Sequence, residues 1–72
     1  MILNCFNVLR FLENRIKGVN GIDIVDYSIN CVKMSINDLF EAEILSEDIK
    51  RAFPQGNFNF EVVESELYID WY

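Results

Sequence analysis

The last fifteen residues, FNFEVVESELYIDWY, restrict the fold more than any other part of the chain. Apolar and polar side chains alternate over residues 58–63 and again over 66–72, which is typical of two strands with one buried face each. With Glu64-Ser65 at the tip of a hairpin, a single register sorts both strands at once. The apolar residues then form three facing pairs, which are Val62 with Leu67, Phe60 with Ile69, and Phe58 with Trp71. A four-residue turn at 63–66 is the alternative, because the tip lacks the Asn-Gly or Asp-Gly of common two-residue turns.

The other side of the same hairpin is polar, acidic and rich in tyrosine. It holds Asn59, Glu61, Glu66, Tyr68, Asp70 and Tyr72. A sheet with one face in water is enough to explain the alternation. Only the tyrosines among the acidic residues and the negative charge of this half of the chain indicate a binding surface.

The N-terminal segment, residues 2–17, is predicted to be a helix that ends at Gly18. Apolar residues recur at spacings of three and four, which indicates one buried stripe. The stripe consists of Ile2, Cys5, Leu9, Leu12 and Ile16, with Phe6 alongside. Leu3 and Phe11 fall outside it, which makes them candidates for self-association.

Two short strands are predicted next. Asn20-Gly21 is a turn signal, residues 22–29 are rich in β-branched and aromatic side chains, and residues 31–36 alternate. Asn30 marks the turn between the two strands. Their register is not decided by the pattern, since the alternation in the first strand is impure.

Residues 37–53, NDLFEAEILSEDIKRAF, have two interpretations. As a strand followed by a short helix, Phe40, Ala42 and Ile44 point inward and Ser46 caps the helix, and we favour this version because it buries more apolar surface. As one helix, Phe40 and Ile44 lie on the solvent side. Pro54 ends the helix in both versions.

The pattern as a whole predicts a single α+β domain over residues 1–72. It has a small antiparallel sheet of four to five strands, with an N-terminal helix and a short second helix packed on one face. The predicted element order is α-β-β-β-α-β-β, and the alternative is α-β-β-α-β-β.

Charge is distributed unevenly along the chain, whose net charge is −6. Residues 38–72 carry nine acidic residues against two basic ones, whereas residues 1–37 carry three against four. Direct binding to nucleic acid is disfavoured, because phosphate contacts need a basic surface, and anionic membranes are disfavoured for the same reason. A protein with a basic surface is the partner that this charge favours.

The residues that most enzymes use are absent from the sequence. It contains no histidine, its two cysteines are 26 positions apart, and its three glycines all occupy predicted turns. A histidine-assisted nucleophile, a zinc site and a phosphate-binding glycine loop are therefore not expected. We predict a non-enzymatic protein without cofactor or metal, located in the cytoplasm with reduced thiols, since no signal peptide or membrane span is indicated.

We therefore expect an inhibitor or adaptor that docks on a basic surface of another protein, with a nucleic-acid-binding surface as one candidate. In size and charge such a protein resembles the anti-CRISPR and other anti-defence proteins of phages, although no motif carries that resemblance. The predicted contact residues are Glu61, Glu66, Tyr68, Asp70 and Tyr72, with Glu41, Glu43, Glu47 and Asp48 as a second acidic patch.

Two other hypotheses remain open. One is a self-associating module, a possible homodimer, that uses Leu3 and Phe11, with Phe40 and Ile44 as further candidates, or a sheet edge formed by the last strand. The other is an immunity or antitoxin protein for a basic nuclease.

Overall fold

Two helices and four strands build the protein, as described over residues 2–72 by a computed structural model. The helices are α1 (Cys5–Ile16) and α2 (Leu39–Ala52). The strands are β1 (Asp23–Ser28), β2 (Cys31–Ser35), β3 (Phe58–Val63) and β4 (Glu66–Trp71). The α+β class is confirmed, and the observed order is the alternative, α-β-β-α-β-β.

The four strands form one antiparallel sheet in the order β1-β2-β4-β3. Each helix therefore precedes a hairpin, and the two hairpins join where β2 pairs with β4. The last strand lies inside the sheet and β3 occupies the edge, so the expectation that the chain's final strand forms an edge is wrong.

The C-terminal hairpin has the predicted register. Phe58 pairs with Trp71, Phe60 with Ile69, and Val62 with Leu67. The tip is the two-residue loop Glu64-Ser65, and Glu64 adopts a left-handed conformation with φ 56°. The backbone carbonyl of Ser65 accepts a hydrogen bond of 2.9 Å from the backbone N–H of Ile36, which joins this loop to the end of β2.

The predicted strand over Phe40–Ile44 is wrong, because α2 runs without a break from Leu39 to Ala52. Asp38 caps the helix by accepting a 2.9 Å hydrogen bond from the Glu41 backbone N–H, and Glu41 in turn accepts one of 3.0 Å from the Asn37 N–H. This reciprocal arrangement is a capping box shifted by one residue.

Ser46, predicted to cap a short helix, lies in the middle of α2 and donates to the Ala42 carbonyl at 2.7 Å. The burial argument failed because Phe40 and Ile44 stay exposed, Phe40 at 67%. The short predicted helix is thus a helix of 14 residues.

The buried side of helix α1 overlaps the predicted stripe, since Cys5, Leu9 and Ile16 pack against the core beside Leu12, but it is rotated toward Val8. Val8 and Leu12 are fully buried, whereas Ile2 and Phe6 are exposed. Leu3 and Phe11 pack against the core, and the Phe11 ring meets Phe53 edge to face, with 6.0 Å between ring centroids. The reason for assigning Leu3 and Phe11 to self-association is therefore wrong, since neither lies on an outer face.

The core lies between the two helices and one face of the sheet. Phe53, at the end of α2, is fully buried and contacts rings from α1 and β3. The buried residues are Val8, Leu12, Ile22, Val32, Met34, Ile36, Ala42, Leu45, Ile49, Phe53, Leu67, Ile69 and Trp71. Because both helices cover this face, the opposite face of the sheet stays open.

A β-bulge explains the impure alternation of the first strand. Ile24 pairs with Met34 and Asp26 pairs with Lys33, so Val25 is left as an extra residue between them. The bulge moves the following residues to the other face and brings Asp26 onto the open side, next to Lys33.

Candidate functional site

The open face is the side of the sheet that the helices leave uncovered, and its residues follow from the strand register. In the central row, Lys33 and Tyr68 pair directly, flanked by Asp26 on β1 and Glu61 on β3. A row of residues before it and another after it also cross the sheet, each with one residue from β1, β2, β4 and β3 in that order. The remaining residues are Asp23, Ser35, Glu66 and Val63 in one row, and Ser28, Cys31, Asp70 and Asn59 in the other.

The open face is strongly acidic. It carries five carboxylates, and among residues 2–72 Lys33 is its one basic side chain. With strands about 4.8 Å apart and residues about 3.4 Å apart along each strand, these charges lie within roughly 14 Å in each direction. The carboxylates are those of Asp23, Asp26, Glu61, Glu66 and Asp70.

The centre of the open face is an ordered cluster of three side chains. The Lys33 ammonium lies 3.6 Å from a Glu66 carboxylate oxygen and 5.6 Å from the centroid of the Tyr68 ring. The Tyr68 hydroxyl donates to the other Glu66 oxygen at 3.2 Å. The Glu66 carboxylate, followed by Tyr68, raises the pKa of Lys33. The cluster fixes the orientation of the tyrosine ring and keeps Lys33 charged.

Three carboxylates on this face, those of Asp23, Glu61 and Asp70, form no side-chain hydrogen bond or ion pair among residues 2–72. Two of them, Glu61 and Asp70, lie next to Tyr68. Both are exposed, and Glu61 lies directly across from Tyr68 on β3, whereas Asp70 lies two residues further along β4 on the same face. They can therefore bind a cation without breaking an interaction that stabilises the monomer.

A shallow groove of about 380 Å³ runs across β2, β4 and β3 at this end of the open face. Cys31, Tyr68 and Asp70 line it together with Asn59 and Glu61. Burial raises the pKa of the Cys31 thiol, and the carboxylates of Asp70 and Asp26 raise it further. A thiol held protonated in this way is a poor nucleophile, so the groove is better suited to contact than to covalent chemistry. Cys31 and Cys5 are both free thiols.

The structure brings together most of the contact residues predicted from the hairpin. Glu61, Glu66 and Tyr68 are neighbours on the open face, and Asp70 lies beside them. Tyr72 follows the end of β4 and is 76% exposed.

The sequence analysis missed Asp23 and Asp26. Their strand lies next to β2 rather than next to the hairpin, and only the observed strand order places them on the open face. The alternation of residues along the sequence does not show that β2 pairs with β4, and that pairing is what joins β1 to the same sheet as the hairpin.

The second predicted patch lies elsewhere, because Glu41, Glu43, Glu47 and Asp48 are all on α2, behind the sheet. Most of these carboxylates are already used within the fold. Glu41 belongs to the capping box, Asp48 pairs with Arg15, and Glu47 lies 3.8 Å from the Lys50 ammonium. This patch is therefore separate from the open face and partly neutralised.

No group of three or more carboxylate and thiol side chains in residues 2–72 is arranged to hold a metal ion. Over the same residues, neither helix has the length and apolar character that crossing a membrane requires. The chain matches no protein-family model, no curated protein and no solved structure.

Proposed function

We propose that this protein is a small non-enzymatic binding protein that docks through its open face on a basic surface of a partner protein. The observation that carries the proposal is the arrangement of five carboxylates around the ordered Tyr68 ring on a face that neither helix covers. Arginine and lysine side chains are the groups that such a face recognises.

The open face combines the two properties that a specific contact of this kind needs. Its carboxylates steer a basic partner during approach and raise the association rate. Tyr68 supplies an amphipathic ring that is already held in place by Glu66 and Lys33, so little side-chain entropy is lost on binding. Tyrosine is also among the residues enriched at interaction hot spots.

The sheet that presents these groups is rigid. Of the strands on the open face, β2 and β4 are paired on both sides, and their inward side chains, such as Val32 and Ile69, are fully buried. The backbone positions of Glu66 and Asp70 on β4 are therefore fixed before binding, which favours an inhibitor that must fit one surface closely.

We infer that the basic surface is one that otherwise holds nucleic acid. Guanidinium and ammonium groups that contact phosphates also bind carboxylates, often in the same geometry. A role like that of phage anti-defence proteins follows from this chemistry. An immunity protein for a basic nuclease is the second candidate, and the same face favours it.

The test is capture of partners from a host lysate on the immobilised chain, followed by a salt titration of the captured protein. The informative variant is E61Q/D70N, which removes two charges that have no partner in the monomer. The matched control is E43Q/E47Q, which removes two charges from α2.

We expect the E61Q/D70N variant to bind the captured protein on the order of tenfold more weakly, while the control binds as before, since close interfacial charge pairs contribute 1.5 kcal/mol or more. We also expect affinity to fall steeply between about 50 and 200 mM salt. The proposal is refuted if the affinity of the captured protein changes neither with the substitutions nor with the salt concentration.

A further inference from the structure

The free edge of β3 is open to strand addition. Asn57 and Tyr72 exchange backbone hydrogen bonds of 3.4 and 3.1 Å, and bonded pairs alternate along an antiparallel ladder. Residues 57, 59, 61 and 63 therefore point their backbone groups toward β4. Phe58, Phe60 and Val62 point theirs outward, where no strand follows.

This edge lacks the features that usually protect edge strands. The register between β3 and β4 is uninterrupted over six residues, the strand contains no proline or lysine, and Glu61 is its one charged residue. The opposite edge, β1, has the bulge at Val25 and two aspartates. Bulges and charges are the common means of blocking strand addition, so only the β3 edge is suited to it.

A groove of about 500 Å³ runs between α2 and this edge. Its apolar floor includes Phe60, Val62 and Leu67. Phe60 and Val62 are only half-buried in the monomer, because no neighbouring strand covers them. Lys50 extends over the Phe60 ring, with its ammonium 5.4 Å from the ring centroid.

We propose that a second copy of this chain occupies the edge, with the two β3 strands paired antiparallel about a two-fold axis at Phe60. In this register Phe60 faces its own copy and Phe58 faces Val62, so all of the outward backbone groups of β3 form hydrogen bonds. On the open face, Asn59 of each copy lies opposite Glu61 of the other, where the amide can donate to the carboxylate.

Strand length and the charge of Glu61 together favour this register. Shifting the strands by two residues one way pairs Val62 with Gly56, which lies outside β3, and shifting them the other way places Glu61 directly opposite Glu61 of the second copy. Like charges in that position are destabilising. The register centred on Phe60 avoids both and pairs all three outward residues of β3 with one another.

Helix α2 flanks the groove on the other face. Leu39, Glu43, Ser46 and Lys50 recur at spacings of four and three, so they lie along one flank. The first three line the groove, and Lys50 lies over its floor. The two-fold axis at Phe60 makes the two α2 helices antiparallel and places the Lys50 ammonium, 5.4 Å from the Phe60 ring centroid, close to the axis. The interface shares Asn59 and Glu61 with the open face, but it is tested by the oligomeric state of the isolated chain, so it can fail independently of the partner contact proposed above.

Sedimentation velocity over a concentration series, from about 1 μM to 1 mM, tests the proposal, and the expected result is a dimer of the 8.5 kDa chain. N59E places two pairs of like charges across the axis, and N59K places two pairs of opposite charges there. We expect N59E to weaken the dimer on the order of tenfold and N59K to strengthen it by a similar factor. N14E, on the exposed surface of α1, is the control for net charge.

Thermal unfolding of each variant verifies that it is folded. A chain that stays monomeric throughout, or a dimer that responds equally to N59E, N59K and N14E, would overturn the proposal. Pairing of the edge with a different protein would also leave the isolated chain monomeric, and thus counts against it.

Discussion

Removing the Asp38 cap should cost the fold a measurable and predictable amount. The Asp38 carboxylate satisfies the Glu41 backbone N–H at 2.9 Å, and no other residue described in the structure takes its place. Substituting an N-cap aspartate by alanine typically costs about 1 kcal/mol. With an unfolding entropy of about 2.1 cal/mol/K per residue, 72 residues give roughly 150 cal/mol/K, so D38A should lower the Tm by about 7 °C.

Ser46→Ala is the matched control, because Ser46 is the residue that would cap a shorter helix. In the observed fold its hydroxyl bonds back to the Ala42 carbonyl within α2. Such bonds contribute little, and alanine has the higher helix propensity. We therefore expect S46A to change the Tm by less than about 3 °C in either direction.

The assay is thermal unfolding followed by far-UV circular dichroism, together with urea titration of both variants. D38N should retain most of the stability, since asparagine caps as well as aspartate. If S46A costs about 1 kcal/mol and D38A costs nothing, then α2 begins at residue 46 and the reasoning about the capping box is refuted.

Two further predictions concern a turn and a thiol. Gly21→Ala should destabilise the fold by more than Gly18→Ala in urea titrations, although both glycines have positive φ, because a Cβ at Gly21 would lie 2.2 Å from an Asn37 side-chain oxygen and one at Gly18 would meet nothing within 4 Å. Equal costs would contradict this. Alkylation of Cys31 at pH 8, followed at that residue by mass spectrometry, should be slower than alkylation of an exposed cysteine in an unstructured peptide, because the pKa of the Cys31 thiol is raised. The reaction should accelerate in D70N, because removing the Asp70 carboxylate lowers that raised pKa. An unchanged or slower rate in D70N would show that Asp70 does not act on this thiol.

The C-terminal hairpin was predictable because one register satisfies six apolar residues at once. Sliding β3 by one residue against β4 would expose Phe58 and Phe60 and bury Glu61, which no other part of the sequence could offset. The acidic side of the hairpin followed directly from the same register.

The start of α2 was not predictable from burial alone. The strand interpretation assumed that Phe40 and Ile44 are buried, yet both remain exposed in a chain too small to cover every apolar side chain. The capping pattern of Asp38 and Glu41 was the available signal, and it outweighs an apolar alternation of three residues.

Neither the bulge nor the order of the strands can be read from local pattern. Val25 looks like an ordinary strand residue, and only its partner strand shows that it is extra. For the same reason, the contribution of Asp23 and Asp26 to the open face was invisible, since it depends on which strand lies next to β2.

The bulge at Val25 has a consequence for the size of any assembly. A pair of chains joined through β3 uses both of its unprotected edges at once, and the two edges left at the ends are both β1. Each end then carries the kinked, aspartate-bearing strand, on which a further chain cannot extend the ladder. In the proposed dimer, growth along the sheet would therefore stop at two chains instead of continuing into a fibril, because a contact that uses the same patch on both partners consumes that patch.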